Sequence, residues 1–373
     1  MIRVLITGDF STAFRSDTDL QGGDYNCLNA IRPYTSRADI SVVNFESPIV
    51  LNRPTPIKKS GPNLYCTEKG MECLVVNGFN CITLANNHFF DQGQQGVEDT
   101  ISVCRSKGVS YVGGGLNKSE ARSILFKQIR DRKLAIINAC EREFSVSDDS
   151  HGGSNPLDLI NIQEDIAEAR NKADYVVLIL HGGIEHYHYP TPRMKRWYRH
   201  FVDLGADAVI NHHQHCINGY EVHKGRPIFY GLGNFYFPWE GCNRPESWDY
   251  GFAVLLSLDE RIDYELVPFK QTIDAITLCD NEAFEKEIGQ LNISIQDDDL
   301  LCQKFNDFII KNGNSIKMSL LPSFMHNRLF AAMARRGWLG NLYKGKQVYS
   351  LKNKLTCASH EECIQRLFEM MLK

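Results

Sequence analysis

The sequence predicts an α/β domain over residues 1–275 followed by a helical extension over 276–373. Three observations predict it. Short β-branched runs alternate with segments of helical period from the N-terminus to about Gly233, the pattern of strands separated by helices. Beyond Gly233 the alternation gives way to two long strand-like runs joined by the turn Asp259-Glu260-Arg261. From about residue 280 only helical patterns remain.

Taken in order, the first strand is expected over Ile2–Thr7, where an apolar run meets a glycine-aspartate turn. A helical pattern at Asn26–Tyr34 leads to a strand at Ile40–Phe45, and another at Thr67–Asn77 leads to Cys81–Leu84. Gly96–Lys107 reads as a helix before the strand Leu134–Asn138, and Ile162–Lys172 as a helix before Tyr175–Leu180. The helix Arg193–Leu204 precedes strands at Ala208–Asn211 and Ile228–Gly231. A hairpin of Gly251–Leu258 and Ile262–Phe269 is expected to close the sheet system. The extension reads as helices at Glu282–Leu291, Asp298–Lys311 and Ser323–Arg336, and the chain has no internal repeat or low-complexity tract.

Composition narrows the class. Apolar content of 43% and charge of 23% are those of a water-soluble globular protein. A net charge of -4 gives no global attraction to nucleic acid or an anionic membrane. The twelve cysteines show no CxxC pair, and Cys81, Cys104 and Cys140 lie in apolar stretches, as small buried hydrophobes do in a reducing compartment. The N-terminus has no basic segment, long apolar run or small-residue cleavage site, and no later stretch reaches the roughly 20 apolar residues that span a bilayer. The expectation is a cytoplasmic protein. Phe308 to Lys354 holds nine Lys and Arg, no acid, and the aromatics Phe324, Phe330, Trp338, Tyr343 and Tyr349. Such a segment could touch an anionic membrane or polymer; a solvated helical cap with its aromatics turned inward is the simpler expectation.

Five polar segments each end an expected strand, the place where ligands gather in α/β sheets. They are Gly8-Asp9-Phe10, Asn44-Phe45-Glu46-Ser47-Pro48, Leu84-Ala85-Asn86-Asn87-His88-Phe89-Phe90-Asp91, His181-Gly182-Gly183-Ile184-Glu185-His186, and His212-His213-Gln214-His215. A glutamate ending an apolar strand is costly to bury without a partner. Three imidazoles in four residues make a poor core, and imidazole is the commonest neutral nitrogen ligand of transition metals. Oxygen from Asp, Glu and Asn mixed with imidazole nitrogen suits Mn, Fe or Zn and suits calcium less. No Walker loop, nucleophile elbow or GxGxxG is present, which leaves nucleotide-binding and serine-hydrolase readings without support.

Together these blocks resemble the capsule-synthesis CapA family, also called the PgsA-like poly-γ-glutamate synthesis family, a divergent branch of the calcineurin-like metallophosphatases. The family pattern runs GD, NLE-(S/T)-P, LANNH-xx-D-x-G, HWG-x-E, GHHPH and YSLGNF. Here it reads Gly8-Asp9, Asn44–Pro48, Leu84–Gly93, His181–Glu185, His212–His215 and Tyr230-Gly231-Leu232-Gly233-Asn234-Phe235. Gly113-Gly114-Gly115 with Asn117 and Glu120-Ala121 matches a further family stretch. The match spans about residues 1–270.

The resemblance implies a double-layered α-β-β-α sandwich with a site for one or two divalent ions, Mn, Fe or Zn. Asp9 and His215 would hold one ion; Asn87, His181 and His213 would hold the other, with Asn86 as an alternative to Asn87. Glu46 would bridge. His88 would act as general acid, oriented by Asp91. Two departures stand out. Metallophosphatases usually carry a His two residues after the first Asp, where this chain has Ser11, and the family's Trp in HWG is Gly182. Glu185 is an acid/base candidate, whereas His186 and His188 suit an exposed loop.

The loop Arg53-Pro54-Thr55-Pro56-Ile57-Lys58-Lys59-Ser60-Gly61 could bring Arg53, Lys58 and Lys59 over an anionic small molecule or polymer, with Arg142, Arg193 and Arg244 in other rim loops. The favoured function is a metal-dependent hydrolase of a phosphoester or related bond in capsule, exopolysaccharide or polyglutamate metabolism. The alternatives are a non-hydrolytic metal enzyme such as an epimerase, or a non-catalytic scaffold docked to polymer-synthesis proteins.

Overall fold

Alternate side chains of β1 (Ile2–Phe10) leave the backbone in opposite directions, and both directions are apolar. Ile2, Val4 and Ile6 enter one buried cluster and Leu5 another; beyond the register shift between Thr7 and Asp9, Phe10 joins the cluster of Leu5. A strand of this kind needs cover on both faces, which layered α/β sheets supply. The computed structural model describes residues 1–13, 25–239, 244–319 and 328–336, with single positions at 351 and 363. The strands after β1 are β2 (Ile40–Phe45), β3 (Cys81–Thr83), β4 (Ser110–Val112), β5 (Gly114–Gly115), β6 (Leu125–Ile129), β7 (Arg132–Cys140) and β8 (Gly153–Ser154). Then come β9 (Tyr175–His181), β10 (Ala208–His212), β11 (Tyr220–His223), β12 (Arg226–Phe229), β13 (Asn234–Tyr236), β14 (Tyr250–Leu258), β15 (Asp263–Gln271) and β16 (Ile276–Leu278). The longer helices are α1 (Glu68–Val76), α2 (Gly93–Lys107), α3 (Leu159–Lys172), α4 (Pro192–Asp203), α5 (Asn281–Gln296), α6 (Asp298–Ser319) and α7 (Arg328–Arg335).

One sheet runs β16-β15-β14-β1-β2-β3-β4, with β13 added parallel to the end of β1; the other runs β11-β12-β10-β9-β7-β6. The two sheets face each other across a shared core in which Val4, Ile6 and Val42 meet Ile136, Val177, Ile179 and Ile210. Met71, Leu74, Val97 and Ile101 of α1 and α2 cover the outer face of the first sheet. Ile162, Ile166, Tyr198 and Phe201 of α3 and α4 cover that of the second. The result is the expected α-β-β-α sandwich. Buried cysteines pack as small hydrophobes, and burial pushes the Cys81, Cys104 and Cys140 thiols up to about 12.

Several elements differ from the sequence reading, each through long-range pairing or backbone chemistry. β1 continues to Phe10 because Asp9 and Phe10 pair with Asn234 and Tyr236 of β13. The helix expected over Asn26–Tyr34 splits into a 3-10 turn, Asn26–Ile31, and a short α-turn, Arg32–Thr35. Pro33 lacks the N–H needed to continue an α ladder from the preceding turn. The strand expected over Ile228–Gly231 lies at Arg226–Phe229, where it forms a hairpin with β11 through Lys224 and Gly225, both at positive φ.

The chain divides into two compact units, Met1–Phe305 and Asn306–Lys373. Phe324, Trp338, Tyr343 and Tyr349 of the basic segment lie outside the described residues. Among the described residues no helix is long and apolar enough to cross a membrane.

Candidate metal centre

The ends of five strands meet at the seam of the two sheets. Asp9 is the penultimate residue of β1, Glu46 directly follows β2, and Asn87 lies in the turn after β3. His181 ends β9, and His213 and His215 follow β10 in a turn that holds both at positive φ, 99° and 53°. That backbone divides the tetrad. His213 and His215 face the centre, while His212 lies with Nε2 3.0 Å from the carbonyl of Thr7 and Nδ1 3.3 Å from that of Leu180, joining the two sheets. Gln214 is occupied too, donating to the Tyr230 carbonyl and accepting from Asn211.

Two groups of ligand-type atoms result: Glu46 with His181 and His213, and Asp9 with Glu46 and His215, the atoms of each group within 4.8 Å of one another. His181 Nε2 lies 3.0 Å from Asn87 Oδ1, 3.1 Å from His213 Nδ1 and 3.7 Å from Glu46 Oε1. His215 Nδ1 lies 2.8 Å from Asn234 Oδ1 and 3.5 Å from Asp9 Oδ2, while its Nε2 is 3.7 Å from Glu46 Oε1. Asn44 Nδ2 donates to Asp9 Oδ1 at 2.7 Å and lies 3.2 Å from His181 Nδ1. Asn86 is committed to backbone, donating to the Phe45 carbonyl and accepting from the His88 amide, so Asn87 is the asparagine whose carbonyl faces His181.

Glu46 is the decisive group. It is fully buried, and among the described residues neither of its carboxylate oxygens has a hydrogen-bond partner. Burial and the neighbouring Asp9 hold its carboxyl well above the usual range. A buried carboxyl with no donor is costly, and a cation among these oxygens and imidazoles would satisfy it. Burial holds His181 well below the ordinary imidazole range and His215 down at about 4, the latter against the pull of Asp9. Both rings are therefore kept neutral, the form that ligates metals. The residues fit a divalent ion.

Beside this centre His88 Nδ1 lies 2.6 Å from Asp91 Oδ2. Asp91 is fully buried, accepts from the Leu64 amide at 2.7 Å, and is ion-paired to Lys59. Lys59 was expected over the substrate. Its side chain is instead 2% exposed and turned inward, because the buried Asp91 carboxylate needs a counter-charge. Arg53 and Lys58 remain exposed. Glu185 is exposed on the loop after β9, near enough to raise the Glu46 carboxyl. Arg193 is ion-paired with Glu141, Arg244 with Asp249, and Arg142, 58% exposed, with Asp158. Ser11, in the place of the metallophosphatase histidine, is buried with its Oγ 2.5 Å from Ser47 Oγ.

The residues not singled out from sequence are Glu143 and Trp248, while Asn234, part of the Tyr230–Phe235 motif, was given no role there. Glu143 Oε1 lies 3.4 Å from His213 Nε2, and its Oε2 accepts from Asn87 Nδ2 at 3.4 Å. The available signal was a sixth polar strand end, Glu141-Arg142-Glu143 after β7. Trp248 packs on His215 with ring centroids 4.6 Å apart. It sits in the 3-10 turn Glu246–Asp249, whose sequence carries no pattern pointing to the centre.

Residues 3–238 match the family described as bacterial capsule synthesis protein PGA_cap. The capsule biosynthesis protein CapA of Bacillus anthracis is 30% identical over 224 residues, covering 58% of this chain and 54% of that protein. The PGA biosynthesis protein CapA of Bacillus subtilis is 29% identical over 224 residues, covering 59% and 58% respectively. The chain thus spans about half the length of the curated relatives it matches. Among solved structures, one described as a novel phosphatase from Mycoplasma pneumoniae aligns with a TM-score of 0.47 and 17% identity, over 78% of this chain and 98% of that one.

Proposed function

The chain belongs to the bacterial capsule synthesis protein family, and from that premise we propose that it is a metal-dependent hydrolase of a phosphoester or related bond in capsule or polyglutamate metabolism. One observation carries the metal part of this reading: the fully buried Glu46 carboxyl, without a hydrogen-bond partner among the described residues and surrounded by Asp9, His181, His213 and His215. Asp9 and His215 would hold one ion, Asn87, His181 and His213 the other, and Glu46 would be shared. When bound, such ions lower the pKa of water and polarise an oxyanion. The remaining chemistry belongs to the chain itself. Asp91 engages His88 at Nδ1, leaving Nε2 to give a proton to a leaving group. Lys59 and the Leu64 amide hold the Asp91 carboxylate in place and so keep that ring in one orientation. Glu185 stands at the rim as a proton acceptor, and exposed Arg53 and Lys58 attract an anionic substrate.

The test is elemental analysis and 4-nitrophenyl phosphate turnover of wild type, His213→Ala and His88→Ala. The expected result is metal in wild type and His88→Ala but not in His213→Ala. Turnover should be lost in His213→Ala and reduced about 10²–10⁴-fold in His88→Ala. Equal, near-zero metal in wild type and His213→Ala after reconstitution overturns the reading. Capsule complementation that survives His88→Ala combined with Glu185→Ala would favour a non-catalytic, metal-stabilised role.

A further inference from the structure

The two carboxylate oxygens of Glu143 address two neighbouring site residues at once. Oε1 lies 3.4 Å from His213 Nε2, and Oε2 accepts from Asn87 Nδ2 at 3.4 Å. Each contact decides which atom of its partner is left for the interior. An asparagine that donates outward through Nδ2 must present Oδ1 inward, and Asn87 Oδ1 lies 3.0 Å from His181 Nε2. A neutral imidazole whose proton sits on Nε2 leaves Nδ1 bare, and His213 Nδ1 lies 3.1 Å from that same His181 nitrogen. With the Asn87 hydrogen bond made and a His213 Nε2 proton facing Glu143 Oε1, two lone-pair atoms are left converging on His181 Nε2.

We propose that Glu143 is the positioning residue for this half of the centre, selecting the Asn87 amide orientation and the His213 tautomer that a divalent cation requires. The inference rests on the metal-binding reading above and goes beyond it by assigning the selection to a residue outside the ligand set. The role demands a carboxylate. Glutamine has the same shape but one acceptor oxygen, so either Asn87 or His213 meets its NH₂ group. Facing that NH₂, Asn87 must turn over and offer its own NH₂ to the cation. Alternatively, His213 must move its proton to Nδ1, which blocks the inward lone pair. Carboxylates that fix metal-bound histidines typically contribute about 10–100-fold in affinity. The Glu143 side chain is 35% exposed, so the exchange leaves the core untouched.

The experiment uses the full chain as wild type, Glu143→Gln and Glu143→Ala. Mn²⁺ and Zn²⁺ are titrated separately into metal-free protein by calorimetry. Histidine side-chain ¹⁵N correlations are recorded on the same metal-free samples, with His213 assigned from His213→Gln. The expected result is a His213 proton on Nε2 in wild type, loss of that preference in Glu143→Gln, and binding about 10–100-fold weaker in both variants. Equal affinity in wild type and Glu143→Gln, or a wild-type His213 proton on Nδ1, overturns the inference while leaving the metal reading intact. Failure of wild type to bind either ion overturns both.

Discussion

At the scale of single residues, adjacent side chains of like chemistry are given opposite tasks. His212 bridges the Thr7 and Leu180 carbonyls of the two sheets, whereas His213, one residue on and at φ 99°, faces the candidate centre. His212→Ala is expected to cost about 1–3 kcal/mol in urea unfolding by orphaning buried polar atoms, with metal content retained. His213→Ala should do the reverse, losing metal at little cost to the metal-free fold. Identical metal loss in both variants would contradict this division of roles. Lys59 supports a second residue-scale prediction. Removing the cation from a buried pair leaves an uncompensated charge and typically costs about 3–5 kcal/mol, so Lys59→Met should lower thermal stability sharply. Adding Asp91→Asn should restore part of it. If Lys59→Met alone unfolds like wild type, Asp91 is not held by that pair. The sequence located Lys59 in a basic loop but showed nothing of its orientation, because the carboxylate it neutralises lies 32 residues away.

At the scale of elements, α1 is tethered through one carboxylate. Glu72 accepts from Tyr25 Oη at 2.6 Å, from Lys69 Nζ at 2.8 Å and from Lys107 Nζ of α2 at 2.9 Å. The hydrogen bond from Lys69, then those from Tyr25 and Lys107, hold the Glu72 carboxyl at about 2, below its ordinary 4.5. A carboxyl whose pKa is depressed by folding stabilises the fold above its unfolded value and loses that contribution as pH falls through its folded value. Glu72→Gln is therefore expected to destabilise by about 1–2 kcal/mol at pH 7 after allowing for solvent screening. The gap should close as pH falls from about 4.5 toward 2. Urea unfolding of both proteins at pH 7 and pH 3 checks it; a gap that widens on acidification contradicts the assignment. Apart from the segment Asn26–Tyr34, the longer helices were legible because apolar spacing is local. β4, β6, β11, β13 and β16 were not, because each is a short or edge strand defined by its hydrogen-bonded neighbour rather than by its own composition.

At the scale of the whole molecule, the candidate centre sits where the two sheets meet, with Asp9, Glu46 and Asn87 on the first and His181, His213 and His215 on the second. An ion held there would tie the layers together. A ligand that binds only the folded state at about 100 times its dissociation constant adds about 2.7 kcal/mol. Mn²⁺ or Zn²⁺ should accordingly raise the thermal midpoint of wild type by several degrees. In Glu46→Gln that gain should vanish, while the metal-free protein becomes more stable at pH 7, because its raised carboxyl no longer has to be buried without a partner. Differential scanning calorimetry with and without metal tests both halves. A full metal-dependent gain in Glu46→Gln would remove Glu46 from the centre.

By itself the sequence determined the layered α/β class and the strand ends that carry polar, ligand-type side chains. Both are written in local patterns: short continuous apolar runs followed by polar segments that hold Asp9, Glu46, Asn87, His181 and His213. Only the tertiary structure decided that these ends converge, that Glu46 is left without a hydrogen-bond partner among the described residues, that Lys59 turns inward to Asp91, and that Glu143 reaches both Asn87 and His213. Those outcomes depend on the order of strands within each sheet and on how the sheets face each other. Such pairings join residues far apart in the chain, and no local period encodes them.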